Sequence, residues 1–163
     1  MAALSALSAL SACAPQPART TAITSTAALL PDVPLTTLAD QPTRLPLVVG
    51  HRPALVALWA TWCDACRAER PSLERLDRAA TARGGVVVGV AVGETSDVVR
   101  EDLRRHPTGY PQLVDEPFAF ADALGVHTLP TVLVLDAEGR VVHEGGALDH
   151  AALAAFRRVL REQ

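Results

Sequence analysis

The chain has 163 residues, of which 49% are hydrophobic and 20% charged, and its formal net charge is −3. This length and apolar content predict one globular domain with a proper core and exclude a disordered chain. A slightly negative charge offers no basic surface of the kind that binds nucleic acid, so we expect no nucleic-acid partner. No apolar run approaches the roughly 20 residues of a membrane-spanning helix.

The N-terminal segment differs in composition from the rest of the chain. After the first Met, residues 1–13 contain only Ala, Leu and Ser up to a single Cys13, which is typical of an export signal, although the usual basic start is missing. Residues 14–30 are rich in Pro, Thr, Ser and Ala and predict a flexible linker. The alternative is a disordered Ala/Ser tail with a chance cysteine. The folded domain is therefore predicted over residues 31–163.

Two short extended segments are predicted at the start of this domain. Residues 33–38 and 43–47 flank a polar turn, a pattern that is typical of a β-hairpin. Both segments contain proline, which restricts them to the edge of a sheet. We therefore expect an N-terminal hairpin that extends the main sheet.

A continuous apolar run at residues 54–61 predicts a strand that is buried on both faces. A helix is predicted to begin at Cys63 and to continue to about residue 83, where Gly84 and the glycine after it end it. Residues 86–92 form a second continuous apolar run. A strand, a helix and a strand joined by short links predict a parallel, right-handed crossover.

The C-terminal half alternates between helical and extended patterns. Helices are predicted over residues 96–106, 117–124 and 151–160, an extended segment over 110–115, and a hairpin of strands 131–135 and 140–144. Together these elements predict an α/β fold in which helices flank a central mixed β-sheet.

Two cysteines lie where the first buried strand turns into its helix. Cys63 and Cys66 have the spacing Cys-x-x-Cys, which suggests a redox pair when it lies in a strand–helix–strand unit. The unpaired N–H groups and partial positive charge of a helix N-terminus stabilise a thiolate. Cys63 is therefore the predicted nucleophile, and Cys66 is predicted to attack the mixed disulfide that Cys63 forms. A zinc site, the alternative, would need four ligands, and a second cysteine pair is absent.

The residues around this pair resemble the active site of thioredoxin-fold oxidoreductases of the TlpA/ResA type, which are bacterial and membrane-tethered. The resemblance begins in WATWCDAC at residues 59–66 and includes Glu69 and Pro71. It continues in GVAVGET at 89–95, GVHTLPT at 125–131 and DAEGRV at 136–141. The resemblance implies a thioredoxin-like domain over residues 31–163. The chain departs from the common pattern at Asp64 and Ala65, where a proline is usual.

The resemblance also implies roles for residues near the pair. It implies a cis peptide bond before Pro130, facing the cysteines; the alternative is a trans proline that opens a strand. Glu69, one helical turn after Cys66, is expected to have a raised pKa and to exchange the Cys66 proton, unless it is a solvated helix residue. Trp62 is expected to shield the pair from water, and Trp59 is assigned to the core.

The predicted function is that of a thiol–disulfide oxidoreductase outside the cytoplasm. The resemblance implies that it reduces protein disulfides, for example in cytochrome c maturation. The Cys63–Cys66 disulfide would be its redox group, with no other cofactor and no metal. The expected partners are protein disulfide or dithiol substrates and a membrane electron donor. Residues 10–13 resemble the lipobox of bacterial lipoproteins, so a lipid on Cys13 is expected to anchor an otherwise monomeric protein to the membrane.

Two other functions remain as alternatives. A copper-delivery module of the Sco type would use two cysteines and a histidine, for which His127 is the candidate, but that family has three residues between its cysteines. His127 is otherwise interpreted as an exposed loop residue. A thiol peroxidase would have Thr three residues before its reactive cysteine, and this chain has Ala60 there.

Overall fold

The structure, a computed structural model, describes residues 29–162. The predicted export signal, Cys13 and most of the predicted linker lie outside the described residues. The strands are β1 Leu35–Thr37, β2 Pro42–Thr43, β3 Ala54–Trp59, β4 Val86–Val92, β5 Gln112–Asp115, β6 Thr131–Leu135 and β7 Val141–Gly145. The helices are α1 Leu45–Val49, α2 Asp64–Thr81, α3 Ser96–Arg105, α4 Ala119–Leu124 and α5 His150–Val159.

The described strands form one seven-stranded sheet in the order β2-β1-β5-β4-β3-β6-β7. Strand β4 is parallel to both β3 and β5, and every other pair is antiparallel. The N-terminal hairpin of β1 and β2 joins the sheet through β5 and forms one edge. The predicted mixed sheet and its N-terminal hairpin are therefore confirmed.

Strand β3 lies at the centre of the molecule, and all six of its residues are buried. Because side chains alternate along a strand, Val56 packs on one face with Phe120 of α4. Leu55 packs on the opposite face with Leu73 of α2 and Phe156 of α5. Burial on both faces explains why this stretch of sequence is apolar without alternation.

One predicted element near the edge of the sheet was wrong. Residues 43–47 do not form a strand: only Thr43 belongs to β2, and the short helix α1 follows it. Pro46 is compatible with this helix because N–H groups in the first turn have no acceptor within the helix, so the N–H that proline lacks is not needed there. The N-cap of α3 is Thr95, whose side chain accepts a hydrogen bond from the Val98 N–H.

The strand and helix around the cysteines are shorter than predicted. Strand β3 ends at Trp59 and not at residue 61, because the chain turns before the cysteines. Helix α2 begins at Asp64, with Cys63 as its N-cap, and ends at Thr81. The remaining boundaries agree within two residues. Within residues 29–162, none of the helices combines the length and the apolar character needed to cross a membrane.

Candidate active site

Cys63 and Cys66 form a disulfide at the junction of β3 and α2, with 2.05 Å between the two sulfur atoms. The Cys63 sulfur also caps α2, because it accepts a hydrogen bond from the Cys66 backbone N–H at 3.1 Å. Both residues are buried, with 6% and 4% of their surface exposed. A helix of 18 residues therefore directs its positive end at the Cys63 sulfur, an arrangement that stabilises a thiolate there.

Glu94 holds the turn that leads into the cysteines. The Thr61 backbone N–H donates to Glu94 Oε2 at 2.8 Å, and the Thr61 hydroxyl donates to Glu94 Oε1. On the other side, Arg67 Nη2 donates to the Thr61 carbonyl oxygen at 2.6 Å. These contacts fix the position of the turn relative to both β4 and α2. No sequence pattern predicts this role of Glu94, although the residue lies within the GVAVGET segment.

A small cavity of about 10 Å³ lies behind the disulfide. Its lining includes Cys66, Glu69 and Pro130, so the structure brings together three of the predicted site residues. The Leu129–Pro130 peptide bond is cis, which confirms that prediction. A cavity of this size is close to the minimum that a single water molecule needs.

Glu69 lines the same cavity as Cys66. It is partly buried, and its Oε1 accepts a hydrogen bond from the Leu148 backbone N–H at 2.8 Å. This bond holds the side chain between α2 and the segment before α5, while the residue also lines the cavity with Cys66. Its role in proton transfer stays a prediction.

The two tryptophans occupy different environments. Trp59 is 6% exposed and packs in the core with the cysteines, which confirms its assignment. Trp62 is 68% exposed on the surface beside Cys63, and its proposed shielding of the pair stays a prediction. His127 is exposed and is not part of the cavity lining. Residues 29–162 contain no group of three or more His, Cys, Asp or Glu side chains that could hold a metal ion.

Gln112 of β5 holds Trp59 of β3 in position across the intervening strand β4. Its Oε1 accepts a hydrogen bond from Trp59 Nε1 at 2.9 Å, and its Nε2 donates to Thr108 Oγ1 at 3.0 Å. The Gln112 amide lies directly against Gly89 of β4, where a Cβ atom would overlap it. No pattern in the sequence predicts this contact.

Arg70 is a third residue of the site, besides Glu94 and Gln112, for which the sequence predicts no role. It is buried, its Nη2 lies 2.5 Å from Asp102 Oδ2, and it lines the cavity with Tyr110. Burial raises the pKa of Tyr110 to about 12, although the nearby charge of Arg70 acts to lower it. The spacing of Cys66, Arg70 and Leu73 could have indicated this position, because residues four and three apart share one face of a helix.

Comparison with known proteins identifies the family of the chain. The model of the AhpC/TSA family matches residues 27–144. The chain belongs to the AhpC/TSA family. Its relatives include the thiol-disulfide oxidoreductase ResA of Bacillus subtilis, which is 31% identical over 84 residues and matches 52% of this chain and 47% of ResA. The chain thus spans about half the length of the ResA proteins that it matches.

A second relative matches a larger part of this chain. The thioredoxin-like protein YneN of Bacillus subtilis is 33% identical over 119 residues, which are 71% of this chain and 69% of YneN. Among solved structures, a thiol:disulfide interchange protein named DsbE from Chlorobium tepidum has a TM-score of 0.70 and 22% identity. The match covers 82% of this chain and 94% of the DsbE chain. The predicted resemblance to ResA-type proteins and the thioredoxin-like fold are both confirmed.

Proposed function

We propose that this AhpC/TSA family member is a thiol–disulfide oxidoreductase that works through Cys63 and Cys66. The observation that carries the proposal is the position of the Cys63 sulfur, which is the N-cap of α2, accepts the Cys66 N–H and is bonded to the Cys66 sulfur. Relatives named ResA and thioredoxin-like protein support it.

In the reducing direction, the Cys63 thiolate attacks one sulfur of a substrate disulfide. The substrate S–S bond breaks, a mixed disulfide forms on Cys63, and the first substrate thiolate leaves. Cys66 then loses its proton and attacks the Cys63 sulfur, which forms the Cys63–Cys66 bond and releases the second substrate thiolate. Two electrons have passed from the cysteine pair to the substrate, and a dithiol donor must restore the pair.

The proposal also concerns the cellular compartment in which this reaction takes place. We infer that the protein is exported and carries a lipid on Cys13, because residues 1–13 have the composition of an export signal with a lipobox-like end. Its substrates would then be disulfides of exported proteins, such as apocytochrome c. Its reductant would be a membrane protein, and the oxidoreductase itself would be a monomer. The resemblance to ResA-type proteins favours reduction over oxidation.

A reduction assay tests the proposed activity. The reduced full-length protein should reduce a model protein disulfide, and Cys63→Ser should lower the rate by at least about 10²-fold, the scale of losing an activated nucleophile. Cys66→Ser should retain the first attack but accumulate a mixed disulfide that mass spectrometry detects. Cys13→Ser is the matched control and should react like the wild type. Full activity of Cys63→Ser would contradict the proposal.

The same reduced protein can be tested for the alternative activity, that of a thiol peroxidase. The structure has buried Ala60 where that alternative requires Thr, so no hydroxyl group is available at this position. We expect the reduced protein to consume hydrogen peroxide no faster than a small free thiol does. Rapid peroxide turnover without disulfide reduction would favour the alternative.

A further inference from the structure

Arg70 is a charged residue that is buried beside the redox pair, and no step described above uses it. It is 9% exposed, its Nη2 pairs with Asp102 Oδ2, and its guanidinium lies 4.4 Å from the centre of the Trp59 ring. Its Nη1 is buried and has no hydrogen-bond partner in the described part of the chain. Burial of a donor without a hydrogen-bond partner costs stability, which makes Arg70 a candidate for a functional role.

Arg70 and Cys66 line the same small cavity beside the disulfide. Its volume is about 10 Å³, and the two residues are only 9% and 4% exposed to solvent. Charges interact more strongly where water is excluded. The other ionisable residues that line the cavity are Glu69 from α2 and Tyr110 from the segment before β5, while Asp102 of α3 lies behind Arg70 as its ion-pair partner.

We propose that Arg70 stabilises the thiolate of Cys66 and thereby speeds the resolution of the mixed disulfide. The proposal rests on the proposed function and adds a residue to the same site. It assigns Arg70 and Glu69 separate tasks: Glu69 receives the proton that Cys66 releases, and Arg70 holds the anion that remains. A cation beside a thiol lowers its pKa, so a larger fraction of Cys66 is reactive at neutral pH.

The affected step is the second half of the thiol–disulfide exchange. The Cys66 thiolate attacks the Cys63 sulfur, the Cys63–Cys66 bond forms, and the bond between Cys63 and the substrate breaks. The substrate sulfur leaves with the electron pair of that bond as a thiolate. Since Arg70 acts only on the Cys66 thiolate in this scheme, the first attack by Cys63 should depend on it much less.

Reaction with 5,5′-dithiobis(2-nitrobenzoate) separates the two attacks. In a Cys13→Ser background the redox pair provides the only thiols. The first release of thionitrobenzoate depends on reagent concentration and reports Cys63, whereas the second release is independent of it and reports Cys66. The pH at which the second rate is half-maximal gives the apparent pKa of Cys66. Arg70→Met should raise this pKa by about one unit, which is about a tenfold loss of thiolate at neutral pH.

Three further variants separate the charge of Arg70 from its packing. Arg70→Lys keeps the charge and should leave the half-maximal pH near the wild-type value. Arg78→Met removes the same charge from the exposed surface of α2 and should have no effect. Asp102→Asn removes the negative charge that offsets Arg70 and should lower the half-maximal pH.

Two results would overturn the proposal. One is a folded Arg70→Met protein with the half-maximal pH of the wild type, and the other is a shift in Arg70→Lys as large as in Arg70→Met. If Arg70→Met does not fold, Asp102→Asn decides, since an unchanged or raised half-maximal pH contradicts the proposed charge effect. The absence of both releases in the Cys13→Ser parent protein would instead contradict the proposed function.

Discussion

Two glutamates of α2 show how the position of one residue separates a structural role from a chemical one. Glu69 and Glu74 are both partly buried, and each accepts a backbone hydrogen bond from a distant segment, Glu69 from Leu148 and Glu74 from Gly109. Only Glu69 lines the cavity with Cys66. The structural contribution is therefore similar in the two residues, and contact with the cavity distinguishes them.

Glu69→Gln keeps the shape of the side chain and removes its titration. We expect this variant to fold and to leave Cys63 reactive, but to reduce disulfides about 10²-fold more slowly, because Cys66 loses its proton acceptor. The pH dependence of the rate should lose one ionisation at the same time. A stopped-flow reduction assay across the pH range measures both effects.

Glu74→Gln is the matched control for this prediction. It disturbs a comparable backbone hydrogen bond on the same helix, so it should affect stability without changing the pH dependence of the rate. Equal rates of Glu69→Gln and the wild type at every pH would show that Glu69 is a structural helix residue only.

The limits of sequence interpretation at this scale follow from how far apart the contacting residues are. Cys63, Cys66 and Glu69 lie within one short motif, and the motif places them correctly. Arg70 and Asp102 are 32 positions apart, and Trp59 and Gln112 are 53 apart. Contacts of this kind depend on how helices and strands pack, which helical spacing or strand alternation alone does not specify.

At the scale of single elements, α4 depends on a residue that lies outside it. Its N-cap, Phe118, has a left-handed backbone and provides no side-chain cap. Instead, the fully buried Asp115 at the end of β5 accepts hydrogen bonds from the Phe120 N–H at 3.1 Å and the Ala121 N–H at 2.9 Å. Asp115 therefore satisfies the free N–H groups at the start of this helix.

Asp115→Ala would leave two buried N–H groups without acceptors. We expect the free energy of unfolding to fall by about 2–6 kcal/mol, from about 1–3 kcal/mol for each unsatisfied group. Urea denaturation of the oxidised protein measures this change. Glu116→Ala alters the adjacent, exposed carboxylate and should change the stability by less than about 0.5 kcal/mol. Similar losses in both variants would contradict the proposed capping role.

The short helix α1 illustrates why element type can be mispredicted. Its five residues include Pro46 and two valines, which favour an extended interpretation. Leu45 and Val49 are buried, however, and residues four apart lie on the same face of a helix. The conformation of this segment thus depends on tertiary burial. The strand β3, in contrast, can be predicted from its sequence alone because its whole length is apolar.

At the scale of the whole molecule, the described chain begins at the end of the sheet opposite the cysteines. Leu29 forms a bridge with Arg140, next to the end of β6. Leu135 of β6 pairs with Ala54, the first residue of β3, whereas the cysteines follow Trp59, its last residue. A lipid on Cys13 would therefore hold the domain by the end that lies away from the redox pair.

Cys13→Ser tests this proposed anchor in the native host. We expect the wild type in the membrane fraction and the variant released from it or left unprocessed, because the lipid on Cys13 is the proposed attachment to the membrane. Reduction of a soluble disulfide by the purified variant should equal that of the wild type. An unlipidated wild-type protein in the cytoplasm would contradict both the anchor and the proposed compartment.

The contact between Gln112 and Gly89 has a consequence for how this sequence can change over time. A side chain at position 89 would displace the Gln112 amide, and the Trp59 N–H would then lose its acceptor. Trp59 packs with both cysteines, so a methyl group added on β4 would disturb the surroundings of the disulfide. Positions 59, 89 and 112 are thus expected to vary together during evolution, and substitutions compatible with one of them depend on the residues already present at the other two.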